Sequence, residues 1–350
     1  MYRIHYKMDS KNTGFNEITI VYLAFFTILV FLCKQVTNCN MILLSKTYKL
    51  FEIKKHYFLY LILLVVLLSS CDSSFTSVSE PVILVPGYGS KSTLWKDVGY
   101  IGKLQSEGHS YGGHYTINAK NQTVDFEPYT NSTGVEDFYT LSFSDSTKGI
   151  TELSEQLGYC IQEILYRTGV EKVNLVGYSM GGIICRKYVV DNKDYHCVKN
   201  LLTIASPHQG TNLANFSYGV ENILGSTLYK EMIAELQKEI PLAMNGAAIS
   251  DLVKTDNGLL HTLNQQEHPS DVNYHFVAAR SSLCDIAKEL LELEYEGDLV
   301  SSTNSQTLEV CRNKNLVNAR FTIINDADHF SILEKNDILQ NILPLFNKNK

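Results

Sequence analysis

Residues 172–188 read KVNLVGYSMGGIICRKY. The first part is a short apolar run typical of a buried strand, and the part after Gly182 has the spacing of an amphipathic helix. Between them lies a Gly-x-Ser-x-Gly pattern with Ser179 at its centre. A nucleophilic serine requires a sharp strand-to-helix turn, and glycines two residues before and after it allow the close approach that the turn creates. The stretch predicts an α/β fold in which Ser179 is the nucleophile.

The Gly-x-Ser-x-Gly pattern also occurs at residues 108–112, around Ser110. This copy follows polar residues and leads into Gly113-His114-Tyr115, which does not indicate a helix. It therefore lacks the strand-to-helix setting, and we interpret Ser110 as a loop residue.

The rest of the domain alternates strand-like and helix-like segments, which predicts a mostly parallel sheet covered by helices. Residues 96–137 are polar and Gly-rich with no clear period, and residues 210–268 read as a helical insertion. The predicted strands are 81–85, 138–143, 172–176, 198–205, 272–278 and 319–324, and the predicted helices are 150–168, 180–191 and 333–346.

A serine nucleophile of this kind needs backbone N–H donors that stabilise negative charge on the substrate oxygen. The first donor is predicted to be Met180, at the start of the helix after the nucleophile. The second is predicted to be Tyr88, because the segment Pro86-Gly87-Tyr88-Gly89 leaves the first predicted strand. The alternative for this segment is an ordinary turn at a strand end.

The base and the acid are expected after the nucleophile, in the order serine, acid, histidine. His329 follows the last predicted strand, where the base belongs, whereas His268 comes before a strand and His275 lies within one. The acid is expected after the strand at 272–278, which favours Asp298 and leaves Glu296 as its rival. Asp326 and Asp328, close to the histidine in sequence, are interpreted as loop formers.

Residues 81–345 resemble the bacterial triacylglycerol lipase branch of the α/β-hydrolase superfamily. The resemblance rests on the Ser179 motif, on Ala205-Ser206-Pro207-His208-Gln209-Gly210-Thr211 and on Gly297-Asp298-Leu299-Val300, although no glycine follows this aspartate and Pro86 replaces the family's oxyanion-loop histidine. It implies the α/β-hydrolase fold and hydrolysis of lipid-type esters by Ser179, Asp298 and His329, with no metal or organic cofactor. His208 would be structural, and the insertion at 210–268 would be either a lid or ordinary core.

The N-terminal region contains two apolar runs, at residues 18–33 and 57–68. Both are shorter than the roughly 20 residues of a membrane span. The second run follows several lysines and ends in Leu68-Ser69-Ser70-Cys71, which resembles a bacterial lipobox. We therefore divide the chain into residues 1–56, a signal-like segment with a short tether at 57–80, and the hydrolase domain at 81–350. We expect an exported protein that is either membrane-associated or secreted. The second apolar run could be cleaved before a lipidated Cys71 or remain as a signal anchor. The extra run at 18–33 also leaves open a translation start at Met41.

Composition narrows the classes of function. The formal net charge is −7 and no long basic run follows the N-terminal region, which argues against nucleic acid as a partner. The eight cysteines include no CxxC pair, which argues against a zinc site or a dense disulfide scaffold. Two alternative functions stay open: a thioesterase or acyltransferase with the same three residues, and a lipoprotein that binds lipid without turnover.

Overall fold

The computed structural model describes most of residues 80–346. Contacts divide the chain into two compact units, Met1–Phe75 and Thr76–Lys350, and the described residues belong to the second unit. The two apolar runs, Cys71 and most of the insertion lie outside the described residues. Within 80–346, the ranges not described are 119–122, 131, 133–134, 212–245, 283, 285–295, 309–315 and 317–318.

An eight-stranded sheet has the order β3-β2-β4-β1-β5-β6-β7-β8. All neighbouring strands are parallel except β2 and β3, which form an antiparallel hairpin at one edge. The central strands are buried along their whole length because helices cover both faces of the sheet. The strands are β1 Val82–Val85, β2 Tyr111–Asn118, β3 Thr123–Pro128, β4 Phe138–Phe143, β5 Val173–Tyr178, β6 Val198–Ile204, β7 Asn273–Arg280 and β8 Arg320–Asn325.

The helices form a layer on each side of the sheet, with a hydrophobic core beneath each layer. In α3, the apolar positions Ile150, Leu153, Leu157, Ile161 and Ile164 recur at helical spacing, and all are fully buried. Gly169 then ends α3 with a left-handed φ of 70°. The α-helices are α1 Leu94–Asp97, α2 Tyr100–Ser106, α3 Ile150–Thr168, α4 Met180–Asp191, α5 Ala247–Leu252, α6 Leu259–Gln265, α7 Thr303–Gln306 and α8 Asn336–Ile342.

The prediction of a mostly parallel sheet with flanking helices is confirmed. The predicted strand at 138–143 and the helices at 150–168 and 180–191 have the observed bounds, and the other predicted strands differ by up to two residues at an end. The final helix is shorter than predicted, because α8 is flanked by 3-10 turns at Ser331–Glu334 and Leu343–Phe346. No helix within the described part of the chain is long and apolar enough to cross a membrane.

The sequence interpretation missed the elements within residues 96–137. These residues contain α2, β2 and β3 as well as loop. In β2 the register shifts between Tyr111 and Gly113, so the alternation of buried Tyr115 and Ile117 begins only after the bulge. The glycine pair at 112–113 therefore interrupts the alternating pattern of a strand that is regular after these residues.

The insertion is described only at its two ends. Its last third forms α5 and α6, which agrees with a helical reading of that part. Residues 212–245, the larger part of the insertion, lie outside the described residues, so the choice between a lid and ordinary core stays open.

Candidate active site

Ser179 lies between β5 and α4 in a strained backbone conformation. Its φ is 54° and its ψ is −128°, values that residues with side chains rarely adopt. Two backbone bonds hold this turn: the Ser179 N–H donates to the carbonyl of Ile204 at 2.8 Å, and the Gly182 N–H donates to the carbonyl of Ser179 at 3.1 Å. The sequence-predicted nucleophile is therefore on a sharp strand-to-helix turn at the carboxyl end of β5.

Glycines surround the turn because there is no space for side chains. A Cβ atom on Gly177 would lie 2.4 Å from the Cα of Gly182, and one on Gly181 would lie 2.4 Å from the carbonyl oxygen of Pro86. Both distances are too short for non-bonded atoms. The motif's glycines therefore allow β5, the first turn of α4 and the loop after β1 to pack against one another.

The structure brings Ser179, His329 and Asp298 into one chain of hydrogen bonds. The Ser179 Oγ lies 2.8 Å from the Nε2 of His329, and the Nδ1 of the same ring lies 2.6 Å from the Oδ2 of Asp298. His329 follows β8 and Asp298 follows β7, so all three residues lie at the carboxyl edge of the sheet. This arrangement can move a proton from the serine to the imidazole while the carboxylate fixes the ring.

The acid is fully buried and its loop is tightly bonded. Its Oδ1 accepts N–H bonds from Val300 at 3.0 Å and Ser301 at 2.7 Å, leaving Oδ2 directed at His329. Leu299 has a φ of 77°, so the residue after the acid takes the left-handed conformation that a glycine would adopt without strain. Leu299 therefore occupies, with backbone strain, the position at which the lipase motif has a glycine.

Gln306 holds the acid loop in place, and sequence reasoning did not identify it. The side chain is fully buried; its Oε1 accepts from the Ala279 N–H at 2.7 Å, and its Nε2 donates to the Ser301 carbonyl at 3.1 Å. It thereby links the end of β7 to the loop that carries Asp298. Its partners are backbone atoms, 27 positions away at Ala279 and five at Ser301, and backbone atoms give no residue pattern that could have indicated this role.

The rival acids have other roles. Glu296 is on the surface, where its Oε2 lies 3.5 Å from the Nη1 of Arg280. Asp328 shapes the loop around His329, because its Oδ1 accepts the N–H bonds of Phe330 and Ser331, each at 2.9 Å. Neither carboxylate takes the place that Asp298 occupies beside the imidazole.

The other histidines and the second motif serine have structural contacts. His208 is fully buried with its Nε2 3.1 Å from the Oγ1 of Thr203, and burial, with Arg186 and His268 adding to it, lowers its pKa well below the usual range. His275 is buried in β7. Ser110 lies before β2, and its Oγ donates to the Oδ2 of Asp137 at 2.9 Å.

The two predicted oxyanion donors belong to segments that meet beside the nucleophile. Met180 is the first residue of α4, so its N–H has no acceptor within the helix. Gly87, the residue before Tyr88, lies so close to the serine that an added Cβ would be 2.9 Å from the Ser179 Cβ. The Gly89 N–H donates to the Oγ of Ser146 at 3.0 Å, which anchors the Tyr88 loop. The positions suit an oxyanion site, and the roles of Met180 and Tyr88 remain predictions.

The part of the chain that the structure describes contains no candidate metal site. There, no group of three or more His, Cys, Asp or Glu side chains is arranged to hold an ion.

Comparison with known proteins identifies the family of the domain. Residues 77–270 match the family described as the PGAP1-like alpha/beta domain, and this match covers more than half of the chain. The chain belongs to this family. The PGAP1-like alpha/beta domain contains the predicted nucleophile and oxyanion loop, whereas Asp298 and His329 lie beyond the matched residues.

Curated relatives of this PGAP1-like protein include triacylglycerol lipases from Pseudarthrobacter phenanthrenivorans and Burkholderia plantarii. Each is 28% identical over 191 residues, which is 54% of this chain and 51% or 45% of the relative. The chain thus spans about half the length of the curated relatives that it matches.

Solved structures share the fold at low sequence identity. The lin2722 gene product of Listeria innocua is 15% identical with a TM-score of 0.54, covering 78% of this chain and 95% of that one. The propeptide form of the Bacillus licheniformis lipase BlEst2 is 18% identical with a TM-score of 0.50, covering 78% of this chain and 51% of that one. Together with the lipase relatives, they bear out the resemblance to lipase-like α/β-hydrolases.

Proposed function

We propose that this protein is a serine hydrolase that cleaves carboxylic esters of lipid type through an acyl-enzyme. The observation that carries the proposal is the continuous contact from the Ser179 Oγ through both ring nitrogens of His329 to the carboxylate of Asp298. The similarity to triacylglycerol lipases supports an ester of lipid type as the substrate.

In the first step, His329 takes the proton of the Ser179 hydroxyl as the oxygen attacks the ester carbonyl. Negative charge on the substrate oxygen is met by the backbone N–H groups of Met180 and Tyr88, at the start of α4 and in the loop after β1. The imidazolium then protonates the leaving alcohol, and Ser179 keeps the acyl group.

In the second step, His329 removes a proton from water, which attacks the acyl-enzyme. Collapse of the second tetrahedral intermediate releases the carboxylic acid and returns the proton to Ser179. Asp298 stays ionised throughout and stabilises the transient charge of the ring.

Replacement of Ser179 by alanine tests the proposal. We expect hydrolysis of acyl esters to fall by about 10⁴-fold or more, because no other group can form the acyl-enzyme. The matched control is Ser110→Ala, since Ser110 is the central serine of the other Gly-x-Ser-x-Gly pattern and bonds Asp137 instead of a histidine. A wild-type protein that neither hydrolyses esters nor reacts with a fluorophosphonate at Ser179 would contradict the proposal and favour lipid binding without turnover.

The identity of the leaving group must be tested separately, because Ser179, His329 and Asp298 could also catalyse thioester hydrolysis or acyl transfer. Acyl esters of graded chain length are assayed beside acyl thioesters of the same chains. A higher kcat/KM for the esters supports the proposal, and a clear preference for thioesters would assign the chain to the alternative class.

We also propose that the protein is exported and associated with a membrane through its N-terminal region. The lysine-flanked apolar run at 57–68 and the lipobox-like end at Cys71 support this proposal. Mass spectrometry of the mature N-terminus tests it. A diacylated N-terminal Cys71 would identify a lipoprotein, an intact apolar run would favour an anchor, and a cytosolic chain with the run intact would contradict export.

A further inference from the structure

Tyr178, the residue before the nucleophile, contacts the base through its phenolic oxygen. It is the last residue of β5 and is buried. Its hydroxyl donates a hydrogen bond of 2.8 Å to the backbone carbonyl of His329, across 151 positions of sequence. The two rings also lie against each other, with centroids 5.5 Å apart and planes inclined by 35°.

Backbone contacts hold His329 from both of its sides. Its N–H donates to the carbonyl of Asp298 at 2.9 Å, and its carbonyl accepts the Tyr178 hydroxyl. The first contact fixes the base relative to the acid loop, and the second fixes it relative to the strand that ends at Ser179. The loop between β8 and His329 contains Asp326, whose left-handed φ of 54° gives the loop a sharp bend.

We propose that Tyr178 is a positioning residue for the base: its hydroxyl holds the His329 backbone so that Nε2 stays within hydrogen-bond distance of the Ser179 Oγ. The inference rests on the proposed function, because a position for the base matters only if the serine is a nucleophile. In this role Tyr178 exchanges no proton itself and acts through the position of His329. Small displacements of a catalytic group are costly to the rate, so one well-placed bond can have a large effect on kcat.

The alternative is that the hydroxyl only satisfies a buried carbonyl and contributes to stability. The chain offers a matched control for this possibility. Tyr188 in α4 is also buried, and its hydroxyl donates to the backbone carbonyl of another histidine, His196, at 2.9 Å. His196 lies in the turn before β6, at the opposite edge of the sheet from the site. Removal of either hydroxyl therefore costs a comparable hydrogen bond, but only one of the two bonds involves the base.

The experiment compares Tyr178→Phe and Tyr188→Phe with the wild type in full-length protein. Initial rates are measured with a p-nitrophenyl acyl ester, and active sites are counted by titration with a fluorophosphonate. For Tyr178→Phe we expect kcat per titrated site to fall about tenfold with KM within about twofold, because the bond positions the base and does not bind substrate. For Tyr188→Phe both constants should stay within about twofold of wild type, while both variants lower the melting temperature by similar amounts.

The rate of fluorophosphonate reaction at Ser179 provides a second readout, since it depends on the base and not on ester binding. We expect it to fall in Tyr178→Phe by the same factor as kcat. Equal kcat per titrated site in the two variants would overturn the positioning role and leave the proposed hydrolase function intact. A wild type without Ser179-dependent hydrolysis would instead overturn the proposed function and this inference with it.

Discussion

At the scale of single residues, the loops at the carboxyl edge of the sheet carry four of the six positive φ values found at described non-glycine residues; the other two are at Cys197 and Leu308. Among the described residues with side chains, Ser179 follows β5 with a φ of 54° and Ala205 follows β6 with a φ of 50°. Leu299 in the acid loop has a φ of 77°, and Asp326 after β8 has a φ of 54°. Such conformations cost about 1–3 kcal/mol each and persist only where surrounding contacts impose them. The strained loops at the carboxyl edge of the sheet therefore lower the stability of the fold while they place the site residues.

Gly87 gives a sharp test of the loop geometry beside the nucleophile. In Gly87→Ala, the new Cβ would lie 2.9 Å from the Ser179 Cβ and 3.4 Å from its Oγ, so the loop or the serine must move. We expect kcat for ester hydrolysis to fall by about 10–100-fold, because a displacement of the nucleophile or of the oxyanion donors misaligns the attack.

The control is Gly102→Ala in α2, where an added Cβ meets no heavy atom within 4 Å. This exposed helical position should gain about 0.5–1 kcal/mol of stability and keep wild-type activity. If the two alanine variants had the same kcat per titrated active site, the loop after β1 would have no part in the geometry of attack.

At the scale of secondary structure, sequence reasoning succeeded where apolar periodicity was unbroken. The strand at 138–143 and the helix α3 were predicted with their observed bounds, since each buries a continuous apolar face. The hairpin of β2 and β3 was missed because Gly112 and Gly113 interrupt the alternation, and because β3 is a largely exposed edge strand. Edge strands carry little hydrophobic signal, so their pairing becomes visible only in three dimensions.

The start of α3 depends on a side chain from a distant element. Gly149 at the N-cap has no side chain to cap the helix, and the Ile150 N–H instead donates to the Oδ2 of Asp251 in α5 at 2.8 Å. The carboxylate also has a favourable interaction with the positive end of the helix dipole. We expect Asp251→Ala to lower the free energy of unfolding by about 1 kcal/mol, measured by urea denaturation.

Asp194→Ala is the matched control for this substitution, because Asp194 is an exposed carboxylate in the turn after α4. It should leave the urea midpoint within the error of the measurement. Equal midpoints for the two variants would show that the interaction between α5 and the start of α3 contributes nothing to stability.

At the scale of the whole molecule, the sheet order explains how the site forms from separate stretches of chain. Ser179 and His329 are 150 positions apart, and the acid lies 31 positions before the base. Parallel strands have their carboxyl ends at one edge, so the loops after β5, β7 and β8 meet there. Sequence could predict this meeting, because the strands were identifiable and the order of the three residues follows from the fold.

The supporting contacts of the site could not be predicted in the same way. Tyr178 bonds the backbone of His329, 151 positions away, and Gln306 bonds the backbone of Ala279, 27 positions away, as well as that of nearby Ser301. A backbone carbonyl or N–H has no residue identity, so sequence gives no pattern that pairs it with a particular side chain. The sequence likewise could not show which of the two carboxylates, Asp298 or Glu296, lies beside the imidazole of His329.

Buried histidines couple the stability of the whole domain to pH. His275 in β7 is buried with its Nε2 2.8 Å from the Oγ1 of Thr322, and burial, with nearby Arg320 adding to it, lowers its pKa from 6.5 to about 4. The unfolded chain therefore binds more protons than the folded domain between these values. The contribution of neutral His275 to stability is present above pH 6.5 and is lost as the pH falls towards 4. His208 has a shift in the same direction, so acid should destabilise the domain through both side chains.

The substitution His275→Gln removes the titrating group while keeping a side chain that can bond Thr322. We expect the variant to lose less stability than wild type between pH 7 and pH 4.5, by about 2 kcal/mol, measured by urea denaturation at both pH values. The matched control is His261→Gln, which changes an exposed histidine of α6 and should keep the wild-type difference. Because linkage depends only on the protons bound by the two states, parallel pH curves for wild type and His275→Gln would mean that this histidine binds protons equally in both. The acid sensitivity of the domain would then have to come from His208 or other groups.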